Sequence, residues 1–142
     1  MEDKKLQSNP FMTNMKYLQD FKEDTEFERI LKLLTVPAKS GIYISRIDIQ
    51  KMGKAFQVEI PVRERKEMLK DLFHYAKQMD KTIDLIQTLI DYVNYRIDQY
   101  KEIEENFPKS KKITDKWVKL AERTKTILEN MKKEAEVLKD VY

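Results

Sequence analysis

From Trp117 to the last residue, Trp117, Ala121, Thr124, Leu128, Met131, Ala135, Leu138 and Tyr142 recur at spacings of 4-3-4-3-4-3-4, the seam of a helix packed along a second helix. Ile83, Ile86, Ile90, Val93, Ile97 and Tyr100 repeat the pattern at 3-4-3-4-3. Between them, Phe107-Pro108-Lys109-Ser110-Lys111-Lys112 stops one helix, and Thr114 is the expected N-cap of the next. The spacing therefore predicts a helical hairpin over residues 82–142, two heptad seams facing each other as in a short antiparallel coiled coil.

That hairpin dictates what the rest of the chain must do. Leu85, Leu89, Tyr92 and Ile103 widen the first helix's apolar surface beyond one stripe, so it needs a second layer of cover. The expected fold is all-α: an antiparallel helical bundle of five to six helices with a long C-terminal helical hairpin, in a single domain over 10–142 behind a flexible tail, 1–9. Two glycines and 37% charged residues leave little room for a β-sandwich or a Gly-rich nucleotide loop.

Reading along the chain, Pro10 opens a first short helix with Phe11, Met15, Leu18 and Phe21 on one face, and Thr25 to Glu28 form a capping box that starts a second, or the two are one helix bent near Glu23. Phe27, Ile30, Leu31 and Leu34 are its apolar face, and Val36-Pro37 ends it. Lys39-Ser40-Gly41 reads as a loop, and Ile42-Tyr43-Ile44 as an extended linker that buries its isoleucines. Ser45 caps a third helix with Ile49, Met52, Gly53 and Phe56 inward, Gly53 marking a close helix crossing. A fourth helix is expected from Val62 to Met79, burying Leu69, Leu72, Phe73, Ala76 and Met79, and 79–82 is a turn or a kink.

Chemistry-bearing patterns are sparse. The chain has no cysteine, which removes thiol catalysis and thiolate metal sites and fits a reducing, cytoplasmic compartment. His74 is the one histidine, flanked by Phe73 and Tyr75, and no serine stands on a strand-to-helix elbow. Glu122, Glu129 and Glu136 recur every seven residues with Lys125, Lys132 and Lys139, a solvated pattern of helix ion pairs. Asp84, Asp91, Asp98 and Glu105 form an acidic stripe whose members are about 10 Å apart along the axis, too far to share a metal ion. Glu104, on the seam itself near the helix end, is expected to reach solvent.

Two basic features invite a partner. Arg63, Lys66, Lys70, His74 and Lys77 lie along one side of the fourth helix, which with the preceding helix suggests a helix-turn-helix; Gln57 at the turn and Glu59, Glu64, Glu67 and Asp71 argue against it. Lys109, Lys111 and Lys112 precede the last helix, where free backbone amides would attract an anion. Tyr95 has no seam position to fill and is a contact-site candidate.

The sequence thus points to a non-enzymatic cytoplasmic protein–protein interaction module or adaptor, without cofactor, metal or membrane span, whose partner is another protein or a second copy of the chain. The candidate contacts are Arg63, Lys66, Lys70, Lys77, Tyr95, Lys109, Lys111 and Lys112. The alternative is a nucleic-acid-binding protein using the 63–77 stripe and the 109–112 loop. If the last helix outruns its neighbour, Ala135, Leu138 and Tyr142 need cover from the first helix or from a homodimer partner.

Overall fold

The hairpin dominates the architecture. In the computed structural model, which describes residues 27–141 with side chains for 27–139, helix α5 (Thr82–Asn106) and helix α6 (Lys111–Val141) run antiparallel, joined by Phe107 and a 3-10 turn, Pro108–Ser110. Ile86, Ile90, Val93 and Ile97 of α5 and Ala121, Thr124 and Leu128 of α6 are buried, as the heptad spacing requires. Leu85 and Leu89 are buried too, so α5 is covered on two sides. Trp117 and Met131 are half-buried.

The seam opens at its far end. Leu138, expected inside, is 58% exposed, and Val137 beside it 61%. Lys132 Nζ donates to Gln87 Oε1 at 2.7 Å, fixing the register. As one helix rises and the other descends, Val137 comes level with Thr82, where α5 begins, and Leu138 has no α5 side chain opposite it.

The elements before the hairpin are shorter. Residues 27–35 are helical (α1) and bury Ile30, Leu31 and Leu34; Val36 is extended ahead of Pro37, and Pro37–Ser40 makes one further turn (α2) where a plain loop was expected. The expected tail, the helix from Pro10 and the cap at Thr25 lie outside the described residues. The chain divides into two units between Lys32 and Leu33, and every contact given below lies within Leu33–Tyr142.

Helix α3 (Arg46–Ala55) starts with a capping box, Ser45 and Asp48 each bonding the other's backbone amide. Helix α4 (Arg65–Gln78) starts three residues later than Val62. Arg46 Nε donates to Arg63 O at 2.7 Å and Gln50 Nε2 to Ile60 O at 3.2 Å, so two side chains of α3 hold 60–63 extended. Gly53 faces this returning segment, not a crossing helix: a Cβ there would lie 2.7 Å from Ile60 Cγ1. Met68, Leu69, Leu72, Phe73 and Ala76 form α4's buried face, whereas Met79, expected inward, is 40% exposed. Asp80 takes a left-handed φ of 55° and the Lys81 amide bonds Ala76 O, so 79–81 is a turn and not a kink.

Among the described residues there is no strand: the fold is an all-α antiparallel bundle with a long C-terminal hairpin. Ile42 and Ile44 are buried with Tyr43 outward, unpaired, as an extended linker requires.

Candidate functional site

The segment 36–45 crosses the hairpin and is fastened to both helices. Gly41 has a φ of 77°, and a Cβ there would come within 2.5 Å of Trp117 O and 2.6 Å of Ala121 N, so the backbone lies directly against α6. Thr124 Oγ1 donates to Ser40 O at 2.9 Å, and the Tyr100 hydroxyl donates to Gly41 O at 2.5 Å. Burial raises the Tyr100 phenol above its usual value, which keeps it a donor.

The next residues meet a polar network on α5. The Tyr92 hydroxyl lies 2.6 Å from Tyr43 O and 2.9 Å from Asp48 Oδ2, and receives Arg96 Nε at 3.0 Å and Nη2 at 2.8 Å. Burial, reinforced by Asp48, pushes the Tyr92 phenol up to about 12 despite Arg96. Burial would also raise Asp48, but hydrogen bonds from Ser45 and Tyr92 and the charge of Arg96 hold it below its usual value. Arg96 Nη1 reaches Gln99 Oε1 at 2.7 Å, and Arg65 from α4 donates to Ile44 O while stacking 4.1 Å over the Tyr43 ring.

Between Tyr43 and the closed end of the hairpin this arrangement leaves a groove of about 450 Å³, with Tyr43, Tyr100, Ile103 and Phe107 as its apolar walls and Arg96 and Gln99 on its floor. Tyr43 is 50% exposed, Ile103 41% and Phe107 66%. Ile103 was expected under a second helix layer. That layer ends before the hairpin tip, where the apolar side chain faces water. A groove of this size takes one or two large side chains.

The site residues expected from sequence fall in separate places. On α4, Lys66, Lys70, His74 and Lys77 do line up, but Arg63 precedes the helix and pairs with Asp71, Lys66 is half-buried and has a partner, and His74 Nε2 meets Gln78 Nε2 at 3.2 Å. The connection from Phe56 to Glu64 is much longer than the ~3–4 residues of a helix-turn-helix. Gln57 does take the left-handed turn position, φ 61°, that a glycine usually fills.

Lys109, Lys111 and Lys112 are exposed at the tip, and two of the amides there are used: Ser110 N bonds Phe107 O and Lys111 N bonds Pro108 O. The 3-10 turn runs straight into α6, so Thr114 is not its N-cap. It is buried, and its hydroxyl meets Glu104 Oε1 at 2.7 Å, which also explains why Glu104 is half-buried. By helical rise, Lys77 at the end of the stripe and the tip stand about an α5 length apart, roughly 36 Å.

Tyr95 is 56% exposed, as its position implied, and its hydroxyl accepts from Gln99 Nε2 at 2.9 Å beside the groove. Sequence reasoning missed Tyr43, Arg96 and Phe107. The available signal was Arg96 one turn after Tyr92 on a largely apolar flank.

Among the described residues no three acidic or histidine side chains converge to hold a metal ion, and no helix is long and apolar enough to cross a membrane. Comparison with protein families, curated proteins and solved structures finds no match.

Proposed function

We propose that the protein is a non-enzymatic helical interaction module of the cytoplasm that takes hold of a protein partner through the groove at the closed end of its hairpin. One observation carries this reading: Tyr43, Ile103 and Phe107, each 41 to 66% exposed, surround a cleft whose polar floor is already hydrogen-bonded internally. Large apolar side chains ringing a cleft over a rigid base are the anchoring arrangement of helix- and peptide-binding proteins. The cysteine-free composition fits the compartment.

A photo-crosslinking side chain at position 107 tests it in the cell. A discrete protein adduct is expected there, absent with the crosslinker at Lys77 and lost on adding Ile103→Asp. No adduct at 107, or the same adducts at both positions, would remove the reading.

A second reading, self-association, is favoured by Val137 and Leu138 at the open end of the seam. Light scattering on a size-exclusion column tests it, with a dimer that Leu138→Ser dissociates as the expected sign.

A further inference from the structure

The groove carries a sign. Along α5, Tyr95, Gln99, Glu102 and Asn106 follow at spacings of 4-3-4, one row beside Ile103 and Phe107, and the next row round the helix is Asp91, Asp98 and Glu105. The side chains of Asp98, Glu102 and Glu105 make no hydrogen bond or ion pair among the described residues, and that of Asp91 meets only the neutral amide of Gln87. Lys101 stands beyond this ridge, on the side away from the groove. Arg96, the cation within the groove, is matched by Asp48 at 3.8 Å and bonded to Tyr92 and Gln99. Lys109, Lys111 and Lys112 follow Phe107 at the tip, which confines the acidic character to the α5 flank.

Building on the interaction reading above, we infer that the segment docking here is a cationic amphipathic helix of the partner protein, one large apolar side chain seated between Tyr43 and Phe107 and Lys or Arg residues a turn apart against Glu102, which lines the groove, and Asp98 one turn before it. Complementary charge sets its direction along α5, and the same carboxylates turn away nucleic acid and anionic lipid.

Three fluorescein-labelled peptides titrated by anisotropy test this: a Leu/Lys amphipathic helix, a Leu/Glu helix with the same apolar face, and a Ser/Lys peptide without apolar anchors. The Leu/Lys peptide is expected to bind at least about tenfold tighter than either other, and less tightly as salt rises. Asp98→Lys with Glu102→Lys, both on the exposed side of α5, should reverse the preference toward Leu/Glu, and Phe107→Ser should abolish binding of both helices. Equal binding of Leu/Lys and Leu/Glu, a Ser/Lys peptide that binds as well as Leu/Lys, or no binding by any peptide overturns the cationic assignment. An adduct from position 107 would still uphold the interaction reading in each of those cases, and its absence would end both.

Discussion

The hydroxyl of Thr124, on the fourth turn from the start of α6, donates to the carbonyl oxygen of Ser40 at 2.9 Å, both residues wholly out of water. In the heptad count Thr124 passes for a small seam residue. In the fold it is a fastener, and the isosteric Thr124→Val leaves a buried carbonyl with no partner. That should lower unfolding free energy by about 1–3 kcal/mol in urea titrations, whereas Thr124→Ser, which keeps the hydroxyl, should cost less. Equal losses for the two variants would mean the methyl, and not the bond, matters.

The two glycines should respond differently to the same methyl. Gly41→Ala combines a left-handed φ with contacts of 2.5 and 2.6 Å to α6 backbone atoms, which cannot yield without moving the helix. A loss of at least ~2 kcal/mol in thermal or urea unfolding is expected. Gly53→Ala meets Ile60 Cγ1 at 2.7 Å and Val58 O at 3.0 Å but needs no left-handed φ, and inside a helix alanine contributes up to ~1 kcal/mol over glycine, so its net cost should be smaller.

The two ends of the α6 seam should separate by energy. Leu128 is fully buried, and Leu128→Ala should cost about 2–5 kcal/mol. Leu138→Ser, at a site 58% exposed, should change the stability of the single chain by no more than about 0.5 kcal/mol. A larger loss that shrinks on dilution would place a second copy on that end.

Tyr92 sets an alkaline limit. Its folded pKa of about 12 stands above the ordinary 10.0, so the folded state holds the proton after the unfolded state has released it. The stabilisation is complete below pH 10 and falls as pH rises from 10 to about 12. Asp48, lowered in the folded state, has the opposite sign and loses its contribution as pH falls through the carboxylate range. Tyrosine absorbance during alkaline titration should show one phenol titrating late, and Tyr92→Phe should remove it and flatten the loss of stability. An unchanged late phase in that variant would assign it to Tyr100.

What could be read from residue spacing was whatever repeats. Ile86, Ile90, Val93 and Ile97 against Ala121 and Leu128 followed from periodicity, and the Ser45 cap from its hydroxyl ahead of an apolar helix. What escaped was decided by residues distant in the chain. The late start of α4 depends on Arg46 and Gln50 reaching over from α3, and the early start of α6 on Pro108 opening a 3-10 turn that runs into it, which leaves Thr114 inside the helix. The exposure of Leu138 follows from a length mismatch between helices that no local pattern reports. The groove is least legible of all, because Tyr43 and Phe107 meet only once Gly41 has bent the backbone onto α6.

The cleft's roof and floor therefore belong to stretches of chain 49 and 59 positions apart, coupled through the Tyr92 and Tyr100 hydroxyls. Such a cleft exists only while its roof is down. Whatever grips Tyr43 and Phe107 together must oppose local opening of that roof, so occupancy should be measurable far from the ligand as slowed hydrogen exchange at the amides of Gly41 and Ile42, which are closed by Pro37 O and Ser40 Oγ.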